Sequence, residues 1–197
     1  MKLKPDELQK ALSLLGEVLE GRGATPVDLV VCGGTALRAA GIVGRVTKDV
    51  DVLAQRGEVD RELMRAWPLP DFVKEAVSDV AKELRLPDDW LNASTSMLML
   101  PLEELPPEMW SGMLERNYGP SLRIGFVGRV GLIYLKMYAA TDRIEKRDVE
   151  DSKALAPTSE EWRNVVSWLQ TRDLLDDAKR ERLLGIQRQL GMEVGDE

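Results

Sequence analysis

The stretch Leu29-Val-Val-Cys-Gly-Gly-Thr-Ala-Leu37, followed by Asp49-Val-Asp51, decides how this chain is read. Val27 to Cys32 is a short apolar run with three valines, the pattern of a strand buried on both faces. Gly33-Gly34 ends the run, supplying backbone freedom and no side chains. Thr35-Ala-Leu-Arg-Ala-Ala40 then reads as the first turns of a helix. A glycine turn feeding a helix start presents N–H groups and the positive end of the helix dipole, which suits an anion. Thr35 adds a hydroxyl at that spot. Further on, Lys48-Asp-Val-Asp-Val-Leu53 alternates charged and apolar residues, so it reads as a strand with Asp49 and Asp51 on one face. Two neighbouring carboxylates repel unless a cation sits between them, and Mg²⁺ (or Mn²⁺) takes such carboxylates together with substrate phosphates. A phosphate cradle beside an acid pair points to metal-assisted phosphoryl or nucleotidyl transfer.

Composition narrows the chemistry. The chain has 197 residues, enough for one full core, or one core and a small helical annex. No apolar run approaches the ~20 residues a membrane helix needs, and the start, Met1-Lys-Leu-Lys-Pro-Asp-Glu7, is charged, so no membrane role is expected. The single Cys32 permits no internal disulfide, which fits a reducing cytoplasm. Histidine is absent from the sequence. That removes the commonest general base, the Ser-His and Cys-His pairs, and most zinc sites. Chemistry must then run on carboxylates, Lys, Arg, hydroxyls and metal. A net charge of −7 counts against a broad nucleic-acid footprint, but not against a small nucleotide carried with Mg²⁺.

Leu8, Ala11, Leu12, Leu15 and Leu19 predict an amphipathic helix over Pro5 to Glu20, ahead of the first strand. Gly41 to Gly44 reads as the loop before the aspartates, with Arg45 and Thr47 placed to meet phosphate or to hold the acidic strand. Glu58 to Trp67 is expected as a helix, and Phe72 to Leu84 as a cleaner one with a single apolar stripe. Pro87 to Asn92 reads as a loop, and Ser96 to Leu100 and Leu122 to Val127 as strands. From Arg129 the pattern turns helical, with Lys136 on a largely apolar helix and Arg143 close to the same face. Thr158-Ser-Glu-Glu161 is a capping box opening a further helix, and a charged helix from about Asp173 to Leu190 stops at Gly191. The division expected is a core over 1–128 and a helical part over 129–197.

Gly33-Gly34-Thr35 together with Arg45-x-Thr47-x-Asp49-x-Asp51 resembles the minimal nucleotidyltransferase fold, the DNA polymerase beta-like superfamily. Asp89-Trp90-Leu91-Asn92, then Leu135-Lys136, Arg143 and Arg147-Asp148-x-x-Asp151, looks like the AbiEii-type toxin branch and its uncharacterised bacterial relatives. The resemblance implies an α/β (α+β) protein, with a short mixed sheet flanked by helices and a helical C-terminal part. It implies that Gly33, Gly34 and Thr35 hold the triphosphate of an NTP, helped by Arg45 and Thr47, and that Asp49 and Asp51 bind Mg²⁺. Lys136 would meet phosphate, and Asp148 would be a later functional acid. The implied reaction is attack by a hydroxyl on the α-phosphate, on RNA (a tRNA end) or on a protein side chain. A toxin role, with a cognate antitoxin or partner protein, follows from the resemblance alone. One departure stands out: many members carry a third acid on a later strand, and Leu122-Arg-Ile-Gly-Phe-Val127 has none.

Each of these residues also has a plainer reading. The glycines make a tight turn in any strand-to-helix connection. Lys136 suits a lysine reaching outward from an apolar helix, and Arg147, Asp148 and Asp151 suit a charge cluster at a helix start. Trp90 and Cys32 read as packing residues. A non-catalytic nucleotide- or partner-binding module on the same fold is the rival class.

Overall fold

The computed structural model describes residues 5–98, 101–142, 146–172 and 174–192. Its contacts divide the chain into two compact units, Met1–Leu105 with Met113–Val127, and Pro106–Gly112 with Gly128–Glu197. The chain is a mixed α/β (α+β) protein, with a mixed sheet flanked by helices in the first unit and helices in the second.

The first unit is built on β1 (Val27–Cys32), whose Leu29, Val30 and Val31 are fully buried, as a strand covered on both faces requires. β1 runs antiparallel to β2 (Val50–Arg56), with a register shift between Val30 and Val31, and parallel to β6 (Leu122–Phe126). β3 (Leu63–Arg65) and β5 (Leu114–Asn117) complete the order β3-β2-β1-β6-β5, and β4 (Leu91–Asn92) pairs parallel with β2. α1 (Pro5–Gly21) packs on α3 (Asp71–Leu84) through the leucine stripe ending at Leu19 and the stripe Val73, Ala76, Val77, Val80 and Ala81. Trp90 is fully buried, and its indole N–H donates to the Val77 carbonyl at 3.0 Å, which makes it a packing anchor with its one polar atom satisfied.

Three expected elements differ: Leu91–Asn92, expected as the end of a loop, is strand β4 because it pairs with β2, and two others change type. Glu58 to Trp67 is not a helix: a turn follows Gly57, and β3 pairs Arg65 with Ala54 and Met64 with Gln55. The ladder to β2 outweighs a local pattern that fits either period. Ser96 to Leu98 is helical, within the short α4 (Ser94–Leu98), while residues 99 and 100 lie outside the described residues. Asn92 Oδ1 accepts the Ser94 N–H at 3.0 Å and starts that turn, and the buried Ser96 hydroxyl accepts the Ala66 N–H at 3.0 Å.

The second unit holds α5 (Arg129–Asp142), α6 (Lys146–Leu155), α7 (Ser159–Thr171) and α8 (Asp177–Gln189), with a 3₁₀ turn over Pro107–Trp110. The capping box at Thr158 and Glu161 forms with both of its bonds. α8 begins later than expected, capped by Asp176, and is followed by Gly191 in the left-handed region at φ +69. Arg129 ties the join of α6 and α7: it donates to the Leu155 carbonyl at 2.8 Å, to the Ala156 carbonyl at 2.6 Å and to Glu161 Oε1 at 2.6 Å. Those carbonyls are the acceptors a helix C-terminus leaves open. Trp168 of α7 meets Tyr134 of α5 edge-to-face at 5.5 Å. Among the described residues, no helix is long and apolar enough to cross a membrane.

Candidate functional site

β1 ends at Cys32, and the chain turns on Gly33, whose φ of +65 is in the region that penalises any side chain. A second constraint acts on the same residue: a Cβ at Gly33 would overlap Oδ2 of Asp51. The close approach follows from register, because Cys32 is the antiparallel partner of Asp51. The glycine turn and the second aspartate therefore form one packed unit. α2 (Gly33–Ala39) follows, with Thr35 buried and Gly34 partly exposed. At seven residues its dipole is small, so anion binding at this turn would rest on the local N–H groups more than on the helix field.

Asp49 immediately precedes β2, and Asp51 is its second residue. The backbone that carries them is pinned at one atom. The Asp49 carbonyl accepts the Thr35 hydroxyl at 2.9 Å and the Thr47 hydroxyl at 3.1 Å. Thr35 and Thr47 thus hold the acidic strand, which for Thr47 is one of the two roles its position suggested. Arg45, expected on phosphate, offers its carbonyl to Nη1 of Arg38 at 3.1 Å. Arg38 is a residue that sequence reasoning passed over, and Asn92 entered it only within the Asp89–Asn92 motif. Arg38 follows Thr35 by one helical turn, a spacing that could have flagged it. Asn92 stands beside Asp51 through the β2–β4 pairing, but its side chain works locally, accepting from the Ser94 N–H.

The acid pair fits a hard divalent cation. Asp49 and Asp51 are both partly exposed and offer carboxylate oxygen, the donor type Mg²⁺ and Mn²⁺ prefer. Among the described residues, no group of three or more His, Cys, Asp or Glu gathers as a metal cluster. Water and substrate phosphate would have to supply the remaining positions, as is usual for Mg²⁺.

The other expected residues lie in the second unit. Lys136 on α5 places its ammonium 3.0 Å from Asp148 Oδ1 and 2.7 Å from Asp151 Oδ2, both on α6. The helical spacing of the aspartates puts them on one face, and their side chains are 4% and 1% exposed. Ser152 donates its hydroxyl to the Asp148 carbonyl at 2.7 Å. The Lys136 side chain is 15% exposed, so it is not a lysine snorkelling into solvent. Arg143 lies outside the described residues. Nearby on α5, the Tyr134 hydroxyl donates to Glu108 Oε1 at 2.9 Å, and burial first, then that carboxylate, pushes the phenol well above its ordinary value.

Among solved structures, the chain is similar to an antigenic nucleotidyltransferase-like protein from Paracoccidioides brasiliensis, at 16% identity and a TM-score of 0.46, over 91% of this chain and 95% of that one. No protein-family model and no curated protein matches the chain.

Proposed function

We propose that this chain is a Mg²⁺-dependent nucleotidyltransferase that moves a nucleotide monophosphate from an NTP to a hydroxyl acceptor. The observation that carries this is the packing of Asp51 against Gly33: a left-handed glycine turn held in contact with a partly exposed acid that has Asp49 two residues before it. A bare structural turn has no need of acids beside it, whereas a phosphate–metal site needs both on one surface.

In this reading, N–H groups at Gly33 and Gly34 face the phosphates, with Thr35 fixing the backbone next to them. Asp49 and Asp51 hold the divalent cation, which when bound supplies charge neutralisation at the phosphates. The acceptor oxygen forms a bond to the α-phosphorus, the bond from that phosphorus to the bridging oxygen breaks, and pyrophosphate leaves. The hydroxyl proton passes to a carboxylate or to solvent, since no histidine is present to take it. Lys136, which the resemblance sets on phosphate, stands in the second unit. Two of its contacts are already made to Asp148 and Asp151, so its part includes holding those two acids.

A tRNA end and a protein side chain are the two acceptors in view, and the net charge of −7 leans toward protein. The AbiEii-like toxin role, with an antitoxin partner, belongs to this proposal and rests on the motif resemblance. Incubation with each NTP labelled on its α-phosphate, Mg²⁺, bacterial tRNA and lysate protein tests it. Label entering RNA, or protein after RNase, names the acceptor. Label in neither fraction contradicts transfer.

A second reading has one observation in its favour. The lack of a three-acid group among the described residues suits a non-catalytic nucleotide-binding module. Such a module would bind NTP and release no pyrophosphate.

A further inference from the structure

Within the first unit, a cavity of ≈ 300 Å³ opens between α1, α2 and the β5–β6 edge. It has a particular chemistry. Arg38 of α2 and Arg116 of β5 both line it, and so do Tyr118 and Phe126. The Phe126 ring is buried, and the Arg116 guanidinium carbon lies 5.6 Å from its centroid. Asp6 and Gln9 of α1 also line the cavity, and Gln9 Oε1 accepts the Tyr118 hydroxyl at 3.3 Å.

Three other arginines of the first unit are matched with acids. Arg56, Arg61 and Arg123 share Asp28, and the first two also share Glu115. Among the described residues, neither Arg38 nor Arg116 is in a salt bridge. Arg38 has one edge fixed by the Arg45 carbonyl at 3.1 Å, which sets its plane without neutralising it. With Asp6 counted against them, the two guanidiniums leave the cavity net positive.

We propose that this cavity binds a small phosphomonoester with a flat apolar body, of the nucleoside monophosphate class. The phosphate lies between Arg38 and Arg116, which match oxyanion geometry, and the ring lies against Phe126. Gln9 and Asp6 are placed to meet ring N–H or sugar hydroxyl groups. The volume is at the lower end of the range for small-molecule pockets, which suits one nucleotide and not a polymer. Thr35 also lines the cavity, and its hydroxyl holds the Asp49 carbonyl at 2.9 Å. The ligand is thus one side chain away from the backbone that carries Asp49.

The test is calorimetric binding of adenosine 5′-monophosphate to the full chain in excess EDTA, which removes any metal-dependent nucleotide binding at Asp49 and Asp51. Saturable binding of one equivalent is expected. It should weaken by about tenfold or more in Arg116→Ala, an exposed position whose loss leaves the sheet intact, and in Ala39→Phe, which fills the cavity without changing charge. Circular dichroism confirms that both variants fold. Asp51→Asn should bind as the wild type does. Adenosine and inorganic phosphate should each bind at least about tenfold more weakly than the monophosphate. No binding, equal binding by adenosine, equal binding by phosphate, or unchanged affinity in the two cavity variants would overturn the proposal. Tighter binding in Asp51→Asn would do so as well, by assigning the ligand to the glycine-turn site, where loss of the carboxylate removes repulsion of the phosphate. A chain that failed to transfer nucleotide could still pass every arm, so the two proposals fail separately.

Discussion

In the first unit Asp51 stands on an inner strand, partly exposed and packed on Gly33, whereas in the second Asp148 and Asp151 are buried and converge on one lysine. Both units bring aspartates together, but their environments differ in what they allow. A carboxylate that keeps contact with solvent stays charged at little cost and can take a cation from solution. Two carboxylates at 4% and 1% exposure need their ammonium at all times, because charge left in a poorly hydrated site is expensive. The first arrangement is the one our proposal assigns to chemistry, and the second holds α5 against α6.

The largest way to break this contrast is Lys136→Met. It leaves Asp148 and Asp151 without their shared ammonium, and a loss of about 3–5 kcal/mol is expected by urea unfolding, as for removal of one partner from a buried pair. A loss below about 1 kcal/mol would mean that the cluster is not structural.

Gly33→Ala should come next. It forces a Cβ into the left-handed region and against Asp51 Oδ2, so about 1–2 kcal/mol of stability should be lost, together with Mn²⁺ affinity measured by titration. Unchanged Mn²⁺ affinity would separate the turn from the acids.

Thr47→Val removes one of the two hydroxyl bonds to the Asp49 carbonyl and should cost about 1 kcal/mol, with Thr35 keeping the other bond.

The smallest effect is on acid stability. The hydrogen bond from Arg129, then that from the Thr158 N–H, holds the Glu161 carboxyl below its ordinary 4.5. Its contribution is therefore complete above pH 4.5 and is lost as the pH falls through the lowered value in the folded protein. Glu161→Gln should be less stable than the wild type at neutral pH by about 1 kcal/mol, and the gap should close in acid. A gap that persists in acid would contradict this.

Much of the fold is legible in the chain where one signal dominates. The stripe from Val73 to Ala81 and the capping box at Thr158 were readable because periodicity and cap chemistry are local. β5 was not readable. Its residues Leu-Glu-Arg-Asn are all exposed, so no alternation marks it, and pairing with β6 alone makes it a strand. β3 is only three residues long and mostly exposed, so its local pattern also fits a helix, and the hairpin pairing with β2 makes it a strand. At the candidate site, Gly33, Thr35, Asp49 and Asp51 stood out by residue type and spacing. The contact between Gly33 and Asp51 depends on which strands pair, and so does the pinning of the Asp49 carbonyl by Thr35. Lys136 and Asp148 were likewise visible as residues, but their ion pair belongs to the packing of α5 on α6.

Pyrophosphate release from an NTP with Mg²⁺ and acceptor, by wild type and by Asp51→Asn, tests the central claim most directly. Release by the wild type is expected, falling about 100-fold or more in the variant while its melting temperature stays within a few degrees, a loss of about 3 kcal/mol in transition-state stabilisation. Equal release by both proteins, or an unfolded variant, would contradict the assignment of Asp51 to metal-assisted transfer and make the acid a structural part of the turn.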